Sequence, residues 1–342
     1  MQAKALNDRG DIVGFADSKG GSGPIHAILW KGGTTAGAVD LGVLPGYVSS
    51  EAYGVNDDRA VFGLLYDKQE RAFPFRWARG RMTVLKGPNG RVHPTENPGA
   101  GGRNSINDRG EIAWTLIVGG NRRDVRWPRD GRATFLPGLP GHAWTNTFGI
   151  NDDGVVSGWS RKPPRADAEQ NPVLWTRSGK VTALKTAPRR ADGIAEATNR
   201  SGLTVGYLGN LGTARDPENG QVAIWKTRNA EPQLIGPVRP YAIAELVDVN
   251  DRGEAAGMTG DIDPRTGFHL NVKAIVWRSG WAHLRPLSLP TASRRANPVL
   301  VPQLNDINNA GAIVGTVFGL SAPAYEKLRR IDPVVWTCQF GR

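Results

Sequence analysis

One short motif recurs seven times along this chain of 342 residues and constrains its fold more than any other feature. In each copy an apolar residue precedes an Asn, a polar pair and usually a Gly follow, and two mostly apolar residues lead to a second Gly. Residues 6–14 show the pattern in full. The motif Asn residues are Asn7, Asn56, Asn107, Asn151, Asn199, Asn250 and Asn308. A Trp follows each Asn before the next copy begins, and these residues are Trp30, Trp77, Trp127, Trp175, Trp225, Trp277 and Trp336.

The length of the repeat predicts the fold. Successive motif Asn residues are 44 to 58 positions apart, a period typical of a four-stranded propeller blade. Each period contains four short strand candidates, exemplified by residues 52–55, 11–15, 26–30 and 39–44. Adjacent apolar residues in the second strand, such as Ile12 and Val13, favour a sheet covered on both faces. We predict an all-β, seven-bladed β-propeller of four-stranded antiparallel blades, in one domain over residues 1–342, with the last blade lacking one strand.

The segment Asn-Asp-x-Gly is a turn signal, because Asn and Asp side chains bond their own backbone and Gly adopts a positive φ. A calcium loop is the alternative, but the motif offers at most two carboxylates. In the second copy Arg59 stands at the Gly position, and a left-handed Arg costs free energy relative to Gly. We therefore expect the substitution Arg59→Gly to raise the melting temperature.

Large aromatic side chains in the repeat allow a structural and a functional interpretation. The seven motif Trp residues could be stacking platforms for sugars or bases, but one ring per repeat favours packing between neighbouring blades. Trp114 occupies the second Gly position of the third copy, where Gly usually marks the close approach of another backbone. It either fills a local gap or projects toward a binding site.

The charge of the chain favours an anionic partner. Lys and Arg number 43 against 32 Asp and Glu, which gives a net charge of +11, so nucleic acid, acidic polysaccharide and phosphate headgroups remain open, as does no partner at all. The single cysteine, Cys338, excludes an intrachain disulfide and a cysteine metal cluster. The sequence shows neither an apolar run of membrane-spanning length nor a signal peptide at its start.

The loops from fourth to first strand and from second to third strand should share one rim, where functional residues of a propeller are expected. The first class of loop contains Tyr47, His93, Arg103, His142, Trp144, Arg189, Arg190, Tyr241, Arg294 and Arg295. The second class adds Lys68, Arg71, Arg122, Arg123, Arg161, Lys162, Arg165, Arg215, Arg265, Lys327, Arg329 and Arg330. Arg with interleaved aromatic residues is typical of surfaces that recognise anionic groups or proteins, although an ordinary solvated rim could look the same. Our candidate binding residues are Tyr47, His93, Arg103, His142, Trp144, Arg165, Tyr241 and Arg295.

Signatures of catalysis are weak, because the five His residues stand far apart and no HExxH pair or nucleophile elbow is present. The sequence therefore favours a non-enzymatic binding or interaction module that is monomeric and uses no cofactor or metal. Its expected partner is a protein or an anionic polysaccharide, with weaker support for nucleic acid. The alternative is a carbohydrate-active hydrolase or lyase at the propeller mouth, for which His93, His142 and Tyr241 would have to meet in space.

The whole repeat, with Ala-x-Leu-Trp at residues 27–30 and Leu-Gly-x-Leu-Pro-Gly at residues 41–46, resembles the HAF repeat family of extracellular bacterial proteins. The resemblance covers nearly all of the chain and implies an exported or surface protein, extracellular or periplasmic, but it implies no shared activity or catalytic residue. Members of that family tend to open on a Leu-Gly-x-Leu strand before the first Asn motif. We therefore expect that the written start is internal and that a preceding strand closes the ring.

Overall fold

The computed structural model describes residues 1–17, 23–95, 105–162, 170–188, 192–210, 219–236, 242–262, 269–289, 299–320 and 328–337. Repeats one to seven are named here in the chain order of their motif Asn residues. No helix in the described part of the chain has both the length and the apolar character that a membrane crossing requires.

The described strands follow the repeats. Repeat one contains β1 (Gln2–Leu6), β2 (Ile12–Asp17), β3 (Ile25–Trp30) and β4 (Ala38–Asp40). Repeat two contains β5 (Ser49–Val55), β6 (Val61–Tyr66), β7 (Ala72–Ala78) and β8 (Arg81–Val84). Repeat three contains β9 (Ile112–Val118), β10 (Asn121–Trp127) and β11 (Thr134–Phe135). Repeat four contains β12 (Trp144–Ile150), β13 (Val156–Arg161), β14 (Asn171–Trp175) and β15 (Val181–Ala183).

The remaining repeats follow the same plan. Repeat five contains β16 (Gly193–Thr198), β17 (Thr204–Asn210), β18 (Asn219–Trp225) and β19 (Gln233–Ile235). Repeat six contains β20 (Ala242–Val249), β21 (Glu254–Ile262), β22 (His269–Arg278) and β23 (Arg285–Pro286). Repeat seven contains β24 (Val299–Ile307), β25 (Ala312–Leu320) and β26 (Leu328–Thr337).

The prediction of an all-β propeller with antiparallel four-stranded blades is confirmed, and so are the three strands of the last blade. The prediction of seven separate blades is wrong, because the described strands do not form seven separate sheets. Strands β18 and β20 pair in parallel at Asn219 with Ala242 and at Gly220 with Ile243, so repeats five and six share one eight-stranded sheet. Among the described residues, which exclude 96–104, the sheet of repeat three has three strands, and Ile106 forms an isolated bridge with Ile112 where a first strand was expected.

The motif Asn side chains link the repeats into a closed ring. The amide nitrogen of each Asn donates a hydrogen bond to the backbone carbonyl of the Asn in the next repeat, as Asn151 does to Asn199 at 3.0 Å. The same bond occurs at all seven Asn residues, and Asn308 closes the ring by donating to the carbonyl of Asn7 at 2.9 Å. The Asn side-chain oxygen accepts backbone N–H groups of its own turn, which confirms the turn prediction. One residue type therefore shapes the turn and joins neighbouring repeats.

The second motif Gly is explained by the backbone that passes over it. A β-carbon built on Gly158 would lie 2.0 Å from the carbonyl oxygen of Asn146 in the first strand. Gly206 and Gly257 stand in the same relation to Ile194 and Glu245, also at 2.0 Å. A side chain cannot occupy that space, so the predicted close approach of another backbone is confirmed at these positions.

Trp114, at the same motif position in repeat three, is buried against the rings of Tyr53 and Phe62. Its indole N–H donates to the Thr95 hydroxyl at 3.1 Å. The interpretation of Trp114 as a residue that fills a local gap is therefore confirmed.

The hydrophobic core is divided into clusters that each combine two consecutive repeats. The cluster between repeats seven and one contains Ala3, Leu6, Ile12, Ile28, Trp30 and Val314. Motif Trp residues pack at these boundaries, as predicted: Trp175 is fully buried, and its indole N–H donates to the carbonyl of Pro137 in the preceding repeat at 2.7 Å. Trp225 repeats the arrangement with Lys185.

Arg59 adopts the left-handed backbone that its position in the motif predicted, with a φ of 58°. Its guanidinium group also donates two hydrogen bonds, at 2.8 and 3.2 Å, to the buried carboxylate of Asp11 in repeat one. The expectation that Arg59→Gly raises the melting temperature considered only the backbone. The structure adds an opposing contribution from the side chain.

Candidate functional site

The ring of repeats has two unlike faces. The motif face is the end where the Asn turns lie, and the rim face is the opposite end, where each first strand begins and each second strand ends. Strand pairing places Trp144 beside Arg161 at the rim end of repeat four and Ile150 beside Val156 at its motif end.

Acidic side chains surround the channel at the motif face. The residue after the motif Asn is Asp8, Asp57, Asp108, Asp152, Arg200, Asp251 or Asn309 in successive repeats. Most of these side chains accept the backbone N–H of the preceding repeat, as Asp108 does from Asp57 at 2.8 Å. Burial, with the nearby charges of Asp152 and Asp57, raises the pKa of Asp108 to about 6. Arg200 interrupts the series and bonds both Asp152, at 2.5 Å, and Asp251, at 3.2 Å.

A cavity of about 140 Å³ lies at the centre of the motif face and is lined by residues of all seven repeats. It contains a pair of carboxyl groups, Asp248 and Asp306, whose side chains are hydrogen-bonded to each other. Asp306 is buried and also accepts the backbone N–H of Leu6 at 3.0 Å, while Asp248 accepts that of Ile307 at 3.0 Å. Burial and the charge of Asp248 raise the pKa of Asp306 well above its ordinary value.

Most charges of the motif face are balanced within the protein. The buried carboxylate of Glu111 forms ion pairs with Arg126 at 2.8 Å and with Arg177 at 3.1 Å. Arg252 bonds Glu254 in the same manner at 2.5 Å. Exposed pairs at this end, such as Arg129 with Asp58, add to the pattern. These charged groups stabilise turns and repeat boundaries.

The structure describes four of the eight candidate binding residues. Arg103, Arg165, Tyr241 and Arg295 lie outside the described residues. Tyr47 packs edge-on against Phe73, with ring centroids 5.5 Å apart. The imidazole Nε2 of His93 lies 2.9 Å from the side-chain oxygen of Asn89. Tyr47 and His93 thus belong to separate groups.

His142 and Trp144 both lie at the rim face of repeat four, where His142 contacts Ser160 and Trp144 contacts Arg161. The Nδ1 atom of His142 lies 3.1 Å from the hydroxyl oxygen of Ser160. The next residue, Arg161, places its guanidinium carbon 4.5 Å from the Trp144 ring centroid and 5.2 Å from that of Trp159. Such stacking of a cation on aromatic rings is favourable.

Trp159 was not among the predicted binding residues. Its signal in the sequence is its size, because the other six repeats carry a smaller side chain at the position after the second motif Gly. Further stacked arginines occur in the rim half of the molecule, with Arg123 4.4 Å from the Phe135 ring and Arg71 5.8 Å from that of Phe73.

Within the described residues, no group of three or more His, Cys, Asp or Glu side chains is arranged to hold a metal ion.

Comparison with known proteins shows the fold and no family. No protein-family model matches the chain, and no curated protein matches it. The β-propeller domain of the Trilobed protease from Pyrococcus furiosus, described as having an open velcro topology, is similar with a TM-score of 0.58 and 10% identity over 99% of this chain and 96% of that one. A puromycin-hydrolyzing peptidase of Mycobacterium tuberculosis is similar with a TM-score of 0.53 and 13% identity over 97% of this chain. This chain spans 52% of that peptidase. The BP39L lectin of Burkholderia pseudomallei has a TM-score of 0.47 and 12% identity, covering 98% of this chain and 96% of the lectin.

Proposed function

We propose that the protein is a non-enzymatic binding module that receives a protein or an anionic polymer on its rim face. The observation that carries this proposal is the position of Arg161 between the rings of Trp144 and Trp159. A guanidinium group held by two aromatic rings loses little conformational freedom when it binds an anion. Trp144 itself is half-buried, so part of its ring stays open to a ligand.

The contrast between the two faces supports this assignment. At the motif face, arginines such as Arg126 and Arg252 are committed to carboxylates of the protein. At the rim face, Arg161 and Arg123 stack on aromatic rings. A chain with a net charge of +11 attracts polyanions, and stacked arginines provide specific hydrogen bonds once a polyanion is close.

The test is binding to a panel of acidic glycans, neutral glycans and nucleic acid at low and high salt. We expect selective binding to one acidic ligand that persists at high salt, because a shaped site depends less on screening than a diffuse charge does. Trp144→Ala should weaken this binding, whereas Trp281→Ala should not. Trp281 is a matched control, because it also stacks on an arginine, Arg285, but does so at the motif end. Binding of every polyanion alike, all of it lost in salt, would contradict the proposal.

A second candidate function, a carbohydrate-active hydrolase or lyase, is favoured by the carboxyl pair Asp248 and Asp306 in the central cavity. Two carboxyl groups that share a proton can act as general acid and general base. If this function is correct, purified protein should release new chain ends from a polysaccharide, and Asp306→Asn should abolish the release. Release that survives Asp306→Asn, or no release from any glycan of the panel, counts against it.

We further propose that residues 1–342 form one domain. The closed series of seven Asn hydrogen bonds between the repeats supports this proposal. We also propose membership of the HAF repeat family and an extracellular or periplasmic location, both on the resemblance of the repeat. Two separate unfolding transitions in calorimetry would contradict the single domain, and retention of the native protein in the cytoplasm on fractionation would contradict the location.

A further inference from the structure

The outer edge of the third strand is covered in six repeats and open in the described part of the seventh. Residues of the first strands line the central cavity, so the fourth strand of a repeat lies on the outer perimeter of the ring. A fourth strand pairs with the third in each of repeats one to six. In repeat seven, the described sheet ends at β26, and no described strand pairs with its outer edge. Unpaired backbone groups at such an edge can pair with a strand of another chain.

One backbone hydrogen bond recurs wherever a fourth strand is present. A Leu at the end of that strand donates its N–H, at 2.8 or 2.9 Å, to the carbonyl three residues before the motif Trp. The donors and acceptors are Leu41 and Ala27, Leu85 and Pro74, Leu136 and Asp124, Leu184 and Pro172, and Leu287 and Ala274. In repeat five, Ile235 pairs with Val222 at the same position. The corresponding residue of repeat seven is Pro333, on the edge of β26 that no described strand covers.

The side chain of the same Leu or Ile contributes to the core between two repeats. In all six cases it lies in, or packs against, the cluster that also contains or contacts the motif Trp of the following repeat. Leu184, for example, is buried in one cluster with Trp225. The cluster between repeats seven and one contains Trp30 and Val314 but no residue of a described fourth strand. This boundary therefore lacks the apolar side chain that completes the other six.

The exposure of Val335 shows that the edge of β26 is open to solvent. Val335 directly precedes the motif Trp of repeat seven and is 44% exposed. Where the equivalent residue of another repeat is apolar, it is at most 7% exposed, as in Leu29, Leu174, Ile224 and Val276. We call the space beside Pro333 and Val335 the edge slot. It combines unpaired strand edge with exposed apolar surface, and both features are typical of sites that bind a further strand.

We propose that the edge slot binds an extended segment of a second protein, which adds a fourth strand to repeat seven. The segment carries a Leu or Ile whose backbone N–H donates to the Pro333 carbonyl and whose side chain packs against Trp30. Backbone hydrogen bonds then give affinity, and the place of one apolar side chain gives specificity. A second copy of this chain has no such segment free among its described residues, because each fourth strand is paired within its own repeat. The slot opens on the perimeter, so a partner can reach it without opening the ring or covering the rim face.

The probe is a synthetic peptide with the sequence of residues 36–46, which includes β4 and Leu41. Its affinity for the full chain is measured by calorimetry, and we expect saturable binding of one peptide per chain. Replacing the Leu of the peptide by Asp should weaken binding roughly tenfold or more, because the buried apolar contact is lost.

Two variants of the protein test the position of the site. Val335→Asp should weaken binding of the peptide roughly tenfold, because it places a carboxylate in an apolar slot. Val92→Asp is the matched control, since Val92 is 41% exposed but lies in repeat two, and it should leave the affinity unchanged. Both side chains are exposed in the free protein, so both variants should keep the melting temperature of wild type.

A cross-linking experiment on the unmodified protein does not depend on any variant. A peptide with a photoreactive Leu analogue at the position of Leu41 should cross-link to β26 or to Trp30, as read by mass spectrometry. Cross-linking to Trp77 instead would show that the peptide displaces β4 from repeat one, and the inference would be wrong. Absence of binding, or equal binding to wild type and Val335→Asp, would also overturn it.

Sedimentation of the free protein tests the other occupant. We expect a monomer at concentrations where the peptide binds. A dimer that either the peptide or Val335→Asp dissociates would show that the edge slot receives a second copy of this chain, and the proposal of a separate partner would be wrong. Binding of glycans at the rim face should be the same in wild type and Val335→Asp, so the edge slot and the proposed function fail independently.

Discussion

The substitution Asn151→Ala tests whether the Asn ring stabilises the fold. Asn151 makes three hydrogen bonds, one to the Asn199 carbonyl at 3.0 Å and two from the backbone N–H groups of Asp153 and Val155, at 3.1 and 2.9 Å. At about 1 kcal/mol for each bond, the variant should lose about 3 kcal/mol of unfolding free energy. A chain of 342 residues has an unfolding entropy of about 0.7 kcal/mol/K, so the melting temperature should fall by about 4 °C.

The assay is thermal unfolding by calorimetry or circular dichroism, with Asn121→Ala as the matched control. Asn121 is exposed, and its amide donates one long bond of 3.3 Å to the Gly119 carbonyl, so its loss should change the melting temperature by about 1 °C or less. If Asn151→Ala and Asn121→Ala have equal effects, the ring bonds contribute nothing measurable and the reasoning is refuted.

Asn151→Asp separates the turn from the ring. A carboxylate keeps both bonds from the turn N–H groups but turns a donor into a charge that faces the Asn199 carbonyl. The protonated acid can donate again, so the folded state should raise the pKa of this carboxyl group. The variant should then be close to wild type at low pH and should lose stability as the pH rises through that pKa. A pH profile parallel to that of wild type would show that the inter-repeat bond does not matter.

Three further predictions concern charge and close packing. Arg59→Gly should lower the melting temperature, because it removes two hydrogen bonds from the buried carboxylate of Asp11, and adding Asp11→Asn should restore most of the loss. Burial raises the pKa of Asp11, but hydrogen bonds from Arg59, Gly32 and Asn7 outweigh this effect and hold the pKa below its ordinary value. The stabilisation by these bonds is therefore present at neutral pH and is lost as the pH falls. A higher melting temperature for Arg59→Gly alone at pH 7 would contradict this prediction. Asp108→Asn should raise the melting temperature at pH 7 and reduce the decrease in melting temperature between about pH 4 and pH 7, because the pKa of Asp108 in the folded protein is raised to about 6. The Asn side chain can keep the hydrogen bond, since Asn309 accepts the equivalent backbone N–H in repeat seven. An unchanged pH profile of the melting temperature would disprove this prediction. Gly206→Ala should strongly destabilise the protein, because its β-carbon would lie 2.0 Å from the Ile194 carbonyl oxygen, whereas Gly220→Ala, with its nearest atom at 3.6 Å, should be tolerated; equal losses in urea unfolding would refute the explanation.

The local features of the fold were predictable because their causes are local. The strands, the Asn turns and the close approach at the second Gly all follow from residue types within a few positions of one another. Partners distant along the chain were not predictable. Arg59 bonds Asp11, which is 48 residues away, and the parallel pairing of β18 with β20 depends on how two repeats meet at the rim. Spacing within one repeat carries no information on either contact.

The candidate site was predictable at the level of loops and not of contacts. The rim loops included His142 and Trp144, and the structure places His142 beside Ser160 and Trp144 beside Arg161. The stacking of Arg161 on Trp144 required the register of β12 and β13. The carboxyl pair of Asp248 and Asp306 was missed because these residues are 58 positions apart and meet only where repeats six and seven adjoin.

The bond from Asn308 to Asn7 is of the same kind as the six bonds between consecutive repeats. The boundary between the last repeat and the first therefore has the same Asn hydrogen bond as the boundaries between consecutive repeats. The perimeter of the channel is then the number of repeats multiplied by the spacing that one Asn bond permits. Gain or loss of a repeat in a related gene would change the width of the channel while leaving every neighbouring contact intact. A ring of this kind could thus accommodate ligands of different width by a change in the number of repeats.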